Sequence, residues 1–283
     1  MSSLRPRPDH WLLRCPLCKS GFTAAAGALV CRNGHSFDIA HEGYVSLLQS
    51  RRRRPAAGGD GPAQLRHRAE FLDASHLDAL TTTIVARVEG SSPGRILDAG
   101  SGTGHHLARV AARLPGSVTS LGLDISKDAT RHAARRWPML SFAVADLWAE
   151  WPVRDVAVDL VISIFAPKNF SETARVLRPG GCLTLAYPGP EHLIELRDRF
   201  GLLRQSKESS GRYADMAARF IEPPSVTRLH NRVVLDPATA RAVILMGPNA
   251  RHVDALSLHI GTVPSVVTFD IYVLIARKPE RKS

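Results

Sequence analysis

Three cysteines and a histidine near the N-terminus have the types and spacing to hold a metal ion. Cys15-Pro-Leu-Cys18, followed by Cys31 and His35, reads C-x2-C-x12-C-x3-H. Two thiolates on one tight turn and a thiolate–imidazole pair on another can close a tetrahedron around Zn2+. Gly21 and Gly34 lie beside the two pairs and are expected to supply turn flexibility. A lone C-x2-C also suits redox chemistry, but the second pair at zinc-knuckle spacing argues for metal. Four protein ligands leave no open coordination position, so the expected zinc is structural. Such a small module buries little apolar area of its own, which makes the metal a direct source of its stability. Phe22, Phe37 and Tyr44 are candidates for stacking on bases, although packing around the metal is the commoner use of such rings. Cys182 interrupts an apolar run and is expected to be a small buried hydrophobe.

A second constellation lies further on. Ile96-Leu97-Asp98-Ala99-Gly100-Ser101-Gly102-Thr103-Gly104 joins a strand-like run to a helix-like one. By itself a strand–GxGxG–helix turn is only a hint of nucleotide binding. No Lys-Ser/Thr pair follows, which disfavours a triphosphate loop; a dinucleotide site stays open, since an acid ending the second strand also binds ribose. Asp98, with Asp124 at the end of the next strand, is placed for an amino group and ribose hydroxyls. The early acid makes the turn resemble motif I of class I S-adenosylmethionine-dependent methyltransferases. That resemblance implies cofactor contacts at Asp98, Gly100, Gly102, Gly104 and Asp124, with Asp146 near the adenine and Leu147 packing beside it.

The elements that must position these groups follow from periodicity. Helices are expected at Leu65–Phe71 and His76–Val88, and a strand at Arg95–Ala99 before the glycine turn. A helix through Leu107, Val110 and Leu114 follows, then a strand at Val118–Asp124 and a helix at Ser126–Trp137 capped by Ser126. Strands at Phe142–Asp146, Val158–Phe165 and Cys182–Tyr187 frame a helix at Glu172–Leu177; a helix at Glu191–Leu203 comes after them. Runs at Val226–Leu235 and Ser265–Ala276 read as closing strands around a helix at Pro237–Met246. This alternation implies an α/β chain with a doubly wound parallel sheet.

Composition bounds the function. The 283 residues are 44% hydrophobic, enough for a globular core, and no run approaches the roughly 20 apolar residues of a membrane span. No apolar signal core follows Leu4–Pro8, so the expected location is cytoplasmic. Lys and Arg number 37 against 26 Asp and Glu, a net +11 carried mainly by arginine, and this surplus favours a polyanionic partner, nucleic acid first. Three parts are expected: a zinc-binding RNA-recognition module at 1–48, a basic and Gly-rich linker at 49–64, and a catalytic domain at 65–283. Arg51, Arg52, Arg53 and Arg54 in the linker could supply several phosphate contacts at once.

Motifs that join the two constellations resemble the RlmA (RrmA) family of 23S rRNA guanine-N1 methyltransferases. They are Cys31-x-x-Gly34-His35-x-Phe37-Asp38-x-Ala40-x-x-Gly43-Tyr44-Val45-x-Leu47-Leu48, Phe71-Leu72-Asp73-Ala74-x-His76, Gly122-Leu123-Asp124-x-Ser126-Lys127, Leu177-Arg178-Pro179-Gly180-Gly181 and Pro188-Gly189-Pro190-x-His192-Leu193. Gly102 to Ala108 and Phe165-Ala166-Pro167-Lys168-Asn169 look similar to the tylosin-resistance (TlrB-like) branch, which modifies a hairpin guanine bordering the peptide exit tunnel. The resemblance implies a class I (Rossmann-like) methyltransferase fold with a small N-terminal zinc-binding module, S-adenosyl-L-methionine as methyl donor and a 23S rRNA hairpin as substrate. A homodimer and macrolide resistance are further implications. It also places cofactor contacts at Leu77, Gly104, His105 and His192. Leu77 stands where the family has an aromatic residue, and Ser75 where Gly is usual.

Guanine N1 must lose a proton before or during transfer, so a nearby hydrogen-bonding group would help. Phe165 to Asn169, at the end of the fourth strand, is the expected guanine-facing wall, with Asn169 and His192 as candidate catalytic residues. Two other readings are carried: a methyltransferase acting on another RNA or a small molecule, and a non-catalytic zinc-containing RNA-binding protein. The intact Asp98–Gly104 loop weighs against the last.

Overall fold

The computed structural model describes residues 10–25, 27–49, 60–202, 209–219, 222–247 and 264–280. The N-terminal part is a ribbon of three antiparallel strands, β1 (Phe22–Ala25), β2 (Ala28–Cys31) and β3 (Ser36–Asp38). There follow β4 (Val45–Ser46), α1 (Pro62–Asp73), α2 (Asp78–Val88), β5 (Arg95–Ala99), α3 (His105–Ala111), β6 (Thr119–Asp124), α4 (Lys127–Arg136) and β7 (Ser141–Val144). The second half contains β8 (Val158–Ile164), α5 (Phe170–Val176), β9 (Leu177–Pro188), α6 (Ile194–Phe200), α7 (Ser209–Ala218), β10 (Ser225–Val234), α8 (Pro237–Leu245) and β11 (Val266–Arg277). Among these helices, none is long and apolar enough to cross a membrane.

The large sheet has the order β10-β11-β9-β8-β5-β6-β7-β4. Strand order reverses at β5: the chain runs outward through β6 and β7, then returns to lay β8 on the other side of β5. The helices after β5 and β8 therefore leave toward opposite faces of the sheet, and the edge where they diverge is where open α/β sheets take ligands. The sheet is mixed, not wholly parallel, because β11 runs antiparallel to both β9 and β10. An apolar run carries no strand direction, so the sequence did not disclose this.

Local capping explains several shifted boundaries. Helix α1 starts at Pro62 because proline suits the first helical turn and the Gln64 side chain accepts the Gly61 N–H at 3.1 Å. Ser126 caps α4 as expected, its Oγ accepting the Ala129 N–H at 3.2 Å. Helix α6 ends early at Gly201, whose φ of 62° is the left-handed stop that glycine favours. Helix α7 and strand β4 had no expectation at all.

Two apolar layers sandwich the sheet. One lies under α1–α4, α6 and α8, with Phe71, Leu80, Ile84, Leu107 and Val243 in it. The other lies under α5 and the ribbon, where Leu12, Leu13, Phe22, Leu29 and Leu47 join Trp151, Val153 and Phe170. No described helix links β7 to β8, so on that face the ribbon stands where a crossover helix would. Its attachment is also polar and through the backbone. Leu13 bridges Val153, Val45–Ser46 pairs in parallel with β7, and the half-exposed carboxylates of Glu150 and Asp155 receive Arg14. Because Leu13 is fully buried in this shared layer, Leu13→Ala is expected to destabilise the whole protein by about 2–5 kcal/mol. Urea unfolding followed in the ribbon and in the sheet should show one shared, shifted transition; a shift confined to the ribbon would contradict the continuity of the layer.

Candidate functional site

Each ribbon knuckle is shaped by its backbone. In the first, the Lys19 N–H reaches the Cys15 carbonyl at 2.8 Å and Lys19 adopts a φ of 64°. In the second, the Gly34 N–H reaches the Cys31 carbonyl at 2.9 Å with a φ of 79°. The left-handed position of the first knuckle thus belongs to Lys19. Gly21 does not supply it, contrary to expectation: a Cβ there would lie 2.2 Å from the Arg154 guanidinium, so Gly21 allows that close approach. Phe22 and Phe37 pack edge-on at 5.6 Å, and Tyr44 is buried, so the packing use of these rings prevails.

The donor atoms of Cys15, Cys18, Cys31 and His35 all lie within 4.8 Å of one another. A zinc tetrahedron with Zn–S near 2.3 Å and Zn–N near 2.0 Å would separate sulfurs by about 3.8 Å and sulfur from nitrogen by about 3.5 Å. The Cys18–Cys31 sulfurs are 3.6 Å apart, and His35 Nδ1 is 3.4 Å from Cys31 and 3.6 Å from Cys15. The set fits the ion. Burial pushes the Cys15 thiol up to about 11, a cost that a bound cation removes by deprotonating it, while the Ser20 hydroxyl 3.0 Å from Cys18 draws that thiol down to about 6. Cys182 is buried in β9, as a small core residue should be.

The glycine turn after β5 is held in place from three sides. Gly100, Gly102 and Gly104 have φ values of 98°, 51° and 73°, which disfavour any side chain. A Cβ on Gly100 would lie 2.2 Å from the Ala166 side chain, so the loops after β5 and β8 touch there. One on Gly104 would meet Phe142 and Trp137, both at 2.9 Å. Asp124 pins the turn to β6: one carboxylate oxygen accepts the Gly102 N–H and the other the Ser126 N–H, both at 2.8 Å. Each oxygen retains a lone pair for a ligand hydroxyl.

Asp98 is 2% exposed, and burial, reinforced by the Asp124 charge, pushes its carboxyl up to about 8. Asp124 is raised as well, chiefly by burial and against its two amide hydrogen bonds. Asp146 Oδ1 accepts the Trp148 N–H at 2.9 Å, while Leu147 is buried beside Gly100. An acid pair and an apolar shelf thus border a largely buried glycine turn.

The remaining expected contacts divide. Leu77 is buried in the α-helical layer. Ser75, where the family has Gly, adopts a φ of 62°, which accounts for the usual glycine. His105 opens α3 with Nδ1 3.6 Å from Asp73, and burial lowers its pKa. His192 precedes α6 and lies 5.7 Å from the rings of both Phe165 and Phe269. Burial pulls it down to about 4, and its Nδ1 has no partner among the described residues.

Asn169 needs correction as a hydrogen-bond partner for guanine. Its amide donates to the carbonyls of Leu147 at 3.1 Å and Ala149 at 3.4 Å, and its oxygen accepts from Ser171 and caps α5 through the Glu172 N–H. Both ends are engaged, so Asn169 fastens the Leu147 segment to α5 and has no free donor. Arg51 to Arg54 lie outside the described residues.

Three features escaped sequence reasoning. Phe165 is 41% exposed and holds a φ of 52°, a strained conformation for a bulky residue at the strand edge. Lys168 is largely buried, which lowers it to about 8; its Nζ donates to the Ala166 carbonyl at 2.6 Å and stands 5.2 Å from the Tyr213 ring. Arg68 of α1 reaches the turn at Gly102. A lysine in an apolar Phe-Ala-Pro context was a visible signal; the other two depend on the folded backbone.

Comparison with known proteins adds two matched regions: residues 13–54 fit the family model "RlmA, N-terminal" and residues 96–181 fit a methyltransferase domain. The chain is 39% identical over 273 residues to the 23S rRNA (guanine(748)-N(1))-methyltransferase of Streptomyces fradiae, covering 94% of this chain and 96% of that one. It is 38% identical to a putative 23S rRNA (guanine-N(1)-)-methyltransferase of Micromonospora griseorubida, with the same coverage of both chains. A 32% identical relative from Bacillus subtilis carries the same putative activity in its name and is covered over 98% of its length. Among solved structures, the YcgJ protein of Bacillus subtilis shares the fold, with a TM-score of 0.51 at 14% identity over 69% of this chain and 98% of that one.

The elevated Asp98 has a consequence for stability. Its folded value of about 8 exceeds the ordinary 3.8, so the protonated form contributes stability in full below the lower value and loses it as pH rises through the upper. Asp98→Asn stays neutral throughout. Its melting temperature is expected to exceed that of the wild type by a margin that grows from about pH 5 to about pH 8 and then levels. A margin that does not change with pH would contradict the buried, protonated carboxyl.

Proposed function

The chain belongs to the 23S rRNA (guanine-N1)-methyltransferase family, and from that membership we infer that its glycine-turn edge carries a methyl group from S-adenosylmethionine to a guanine of ribosomal RNA. One observation supports the reading above others: relatives spanning nearly the whole chain carry this activity in their names, and both matched regions coincide with a formed site. The guanine is proposed to be the counterpart of the one numbered 748 in the Streptomyces fradiae relative's name, within the hairpin by the exit tunnel. Resistance to tylosin-type macrolides, a cytoplasmic location and a homodimer belong to the same proposal.

When bound, the cofactor supplies an electrophilic methyl group on a sulfonium. The residues around it need to orient, shield and desolvate. In this reading the Gly100–Gly104 turn and Asp98 receive the amino-acid end, Asp124 the ribose, and Asp146 with Leu147 the adenine. Gly104, His105, Leu77 and His192 complete the surroundings. The exposed Phe165 ring, fixed at the end of β8 and backed by His192, is a platform on which an extruded guanine can stack. With a pKa near 4, the His192 imidazole is neutral and weakly basic at physiological pH. It orients the reactants; it is not a strong proton acceptor.

Three measurements test this function. Unmodified 23S rRNA incubated with labelled cofactor and the zinc-loaded protein should acquire label and one new reverse-transcription stop, because N1 methylation blocks pairing. Label without a stop, or label on small molecules alone, would overturn the guanine-N1 reading. Phe165→Ala should lower kcat/KM for RNA by about 5- to 100-fold, the worth of one base stacked on an aromatic ring, with cofactor affinity kept. Equal kcat/KM would remove Phe165 from the platform. Replacing Arg51–Arg54 by Ala should flatten the salt dependence of RNA binding by up to about three units of log–log slope; an unchanged slope would show that these arginines touch no phosphate.

A further inference from the structure

Arg68 occupies a position that packing alone does not explain. It projects from α1 over the glycine turn, and its Nη1 lies 3.4 Å from where a Cβ on Gly102 would stand. The side chain is only 28% exposed and pairs with the carboxylate of Asp60, while its Nη2 donates to the Met246 carbonyl at 2.8 Å. Asp60 is itself held over the end of β6, where its carbonyl accepts the Ser126 hydroxyl at 3.1 Å. The charges of both Arg68 and Asp60 are felt at Asp124, and that of Arg68 also at His106. A guanidinium–carboxylate pair therefore sits at the mouth of the turn, beside the amide of Gly102.

This placement matters because of the ligand's own charges. The amino-acid end of the proposed cofactor carries an ammonium and a carboxylate. Asp98 suits the ammonium but offers the carboxylate nothing, and the carboxylate needs a cation within reach of the turn. Among the described residues, Arg68 is the cation within 4 Å of the Gly102 position. A guanidinium fork matches a carboxylate in two parallel hydrogen bonds. The carboxylate of Asp60 already takes one arm of that fork, Nη1.

We propose that Arg68 binds the α-carboxylate of the cofactor, and that Asp60 is an internal carboxylate which gives up this pairing when the cofactor enters. The assignment rests on the reading that the Asp98–Gly104 turn binds S-adenosylmethionine. It makes Arg68 a specificity device that tells the intact amino-acid end from an adenosyl thioether lacking the carboxylate. It also ties cofactor entry to the joint between α1 and the end of α8, where Gln64 Nε2 donates to the Gly247 carbonyl at 3.1 Å.

The test is calorimetric binding of S-adenosylhomocysteine and of its decarboxylated counterpart to the full-length, zinc-loaded protein. Arg68→Gln should weaken S-adenosylhomocysteine by roughly 10- to 100-fold, the value of a charged hydrogen-bonded pair, and leave the decarboxylated ligand within about twofold of wild type. Arg68→Lys keeps the charge without the fork and should give a smaller loss for the same ligand alone. Asp60→Asn, which leaves Arg68 in place, should tighten S-adenosylhomocysteine and not the decarboxylated compound. Equal losses for both ligands would make Arg68 a structural tie and overturn the proposal. So would no loss for either, or a loss of RNA affinity with both ligands unchanged, which would assign Arg68 to phosphate. A wild-type protein that binds neither ligand would overturn the cofactor reading itself, and the Arg68 assignment with it.

Discussion

The approach of the β5 and β8 loops at Gly100 is the constraint on which the site depends. With a φ of 98° and a hypothetical Cβ 2.2 Å from Ala166, this position admits no side chain. The contact places a turn of backbone amides against the Phe165–Asn169 segment at the reversal of strand order. Everything nearby keeps that contact in register. Asp124 takes two amides, Asn169 ties the Leu147 segment to α5, and Lys168 holds the Ala166 carbonyl. The acids left buried by this arrangement, Asp98 above all, carry a desolvation cost that a cationic ligand relieves.

The zinc ribbon belongs to the same construction. It covers the sheet face that lacks a crossover helix between β7 and β8, and it extends the sheet through Val45–Ser46. Arg14 and Lys19 from the ribbon meet Glu150, a few residues beyond Asp146 and Leu147. The first knuckle is thereby connected through about one layer of side chains to the proposed adenine-binding segment.

Sequence reasoning reached the parts of the fold whose information is local. Apolar runs and helical periodicity located β5, β6, β8 and their helices, and the spacing of Cys15, Cys18, Cys31 and His35 anticipated a cluster with zinc-like separations. It failed where meaning depends on a partner distant in the chain. Strand β4 is two residues long and exists through its pairing with β7. Asn169 looked available until the α5 start and the Leu147 carbonyl took both ends of its amide. Lys19, not Gly21, bears the left-handed turn of the first knuckle, which residue type alone would not suggest. Arg68 was one arginine among many, and only the folding of α1 over Gly102 distinguishes it.

The central claim is that the glycine turn is a binding surface for an adenosyl amino acid. Equilibrium binding of S-adenosylhomocysteine to wild type and to Gly100→Ala, with zinc content and ribbon signals matched, tests it most directly. The account predicts a single site in the wild type and its loss in the variant, since the added methyl group must displace Ala166 or unwind the turn. Undiminished binding by Gly100→Ala would contradict it.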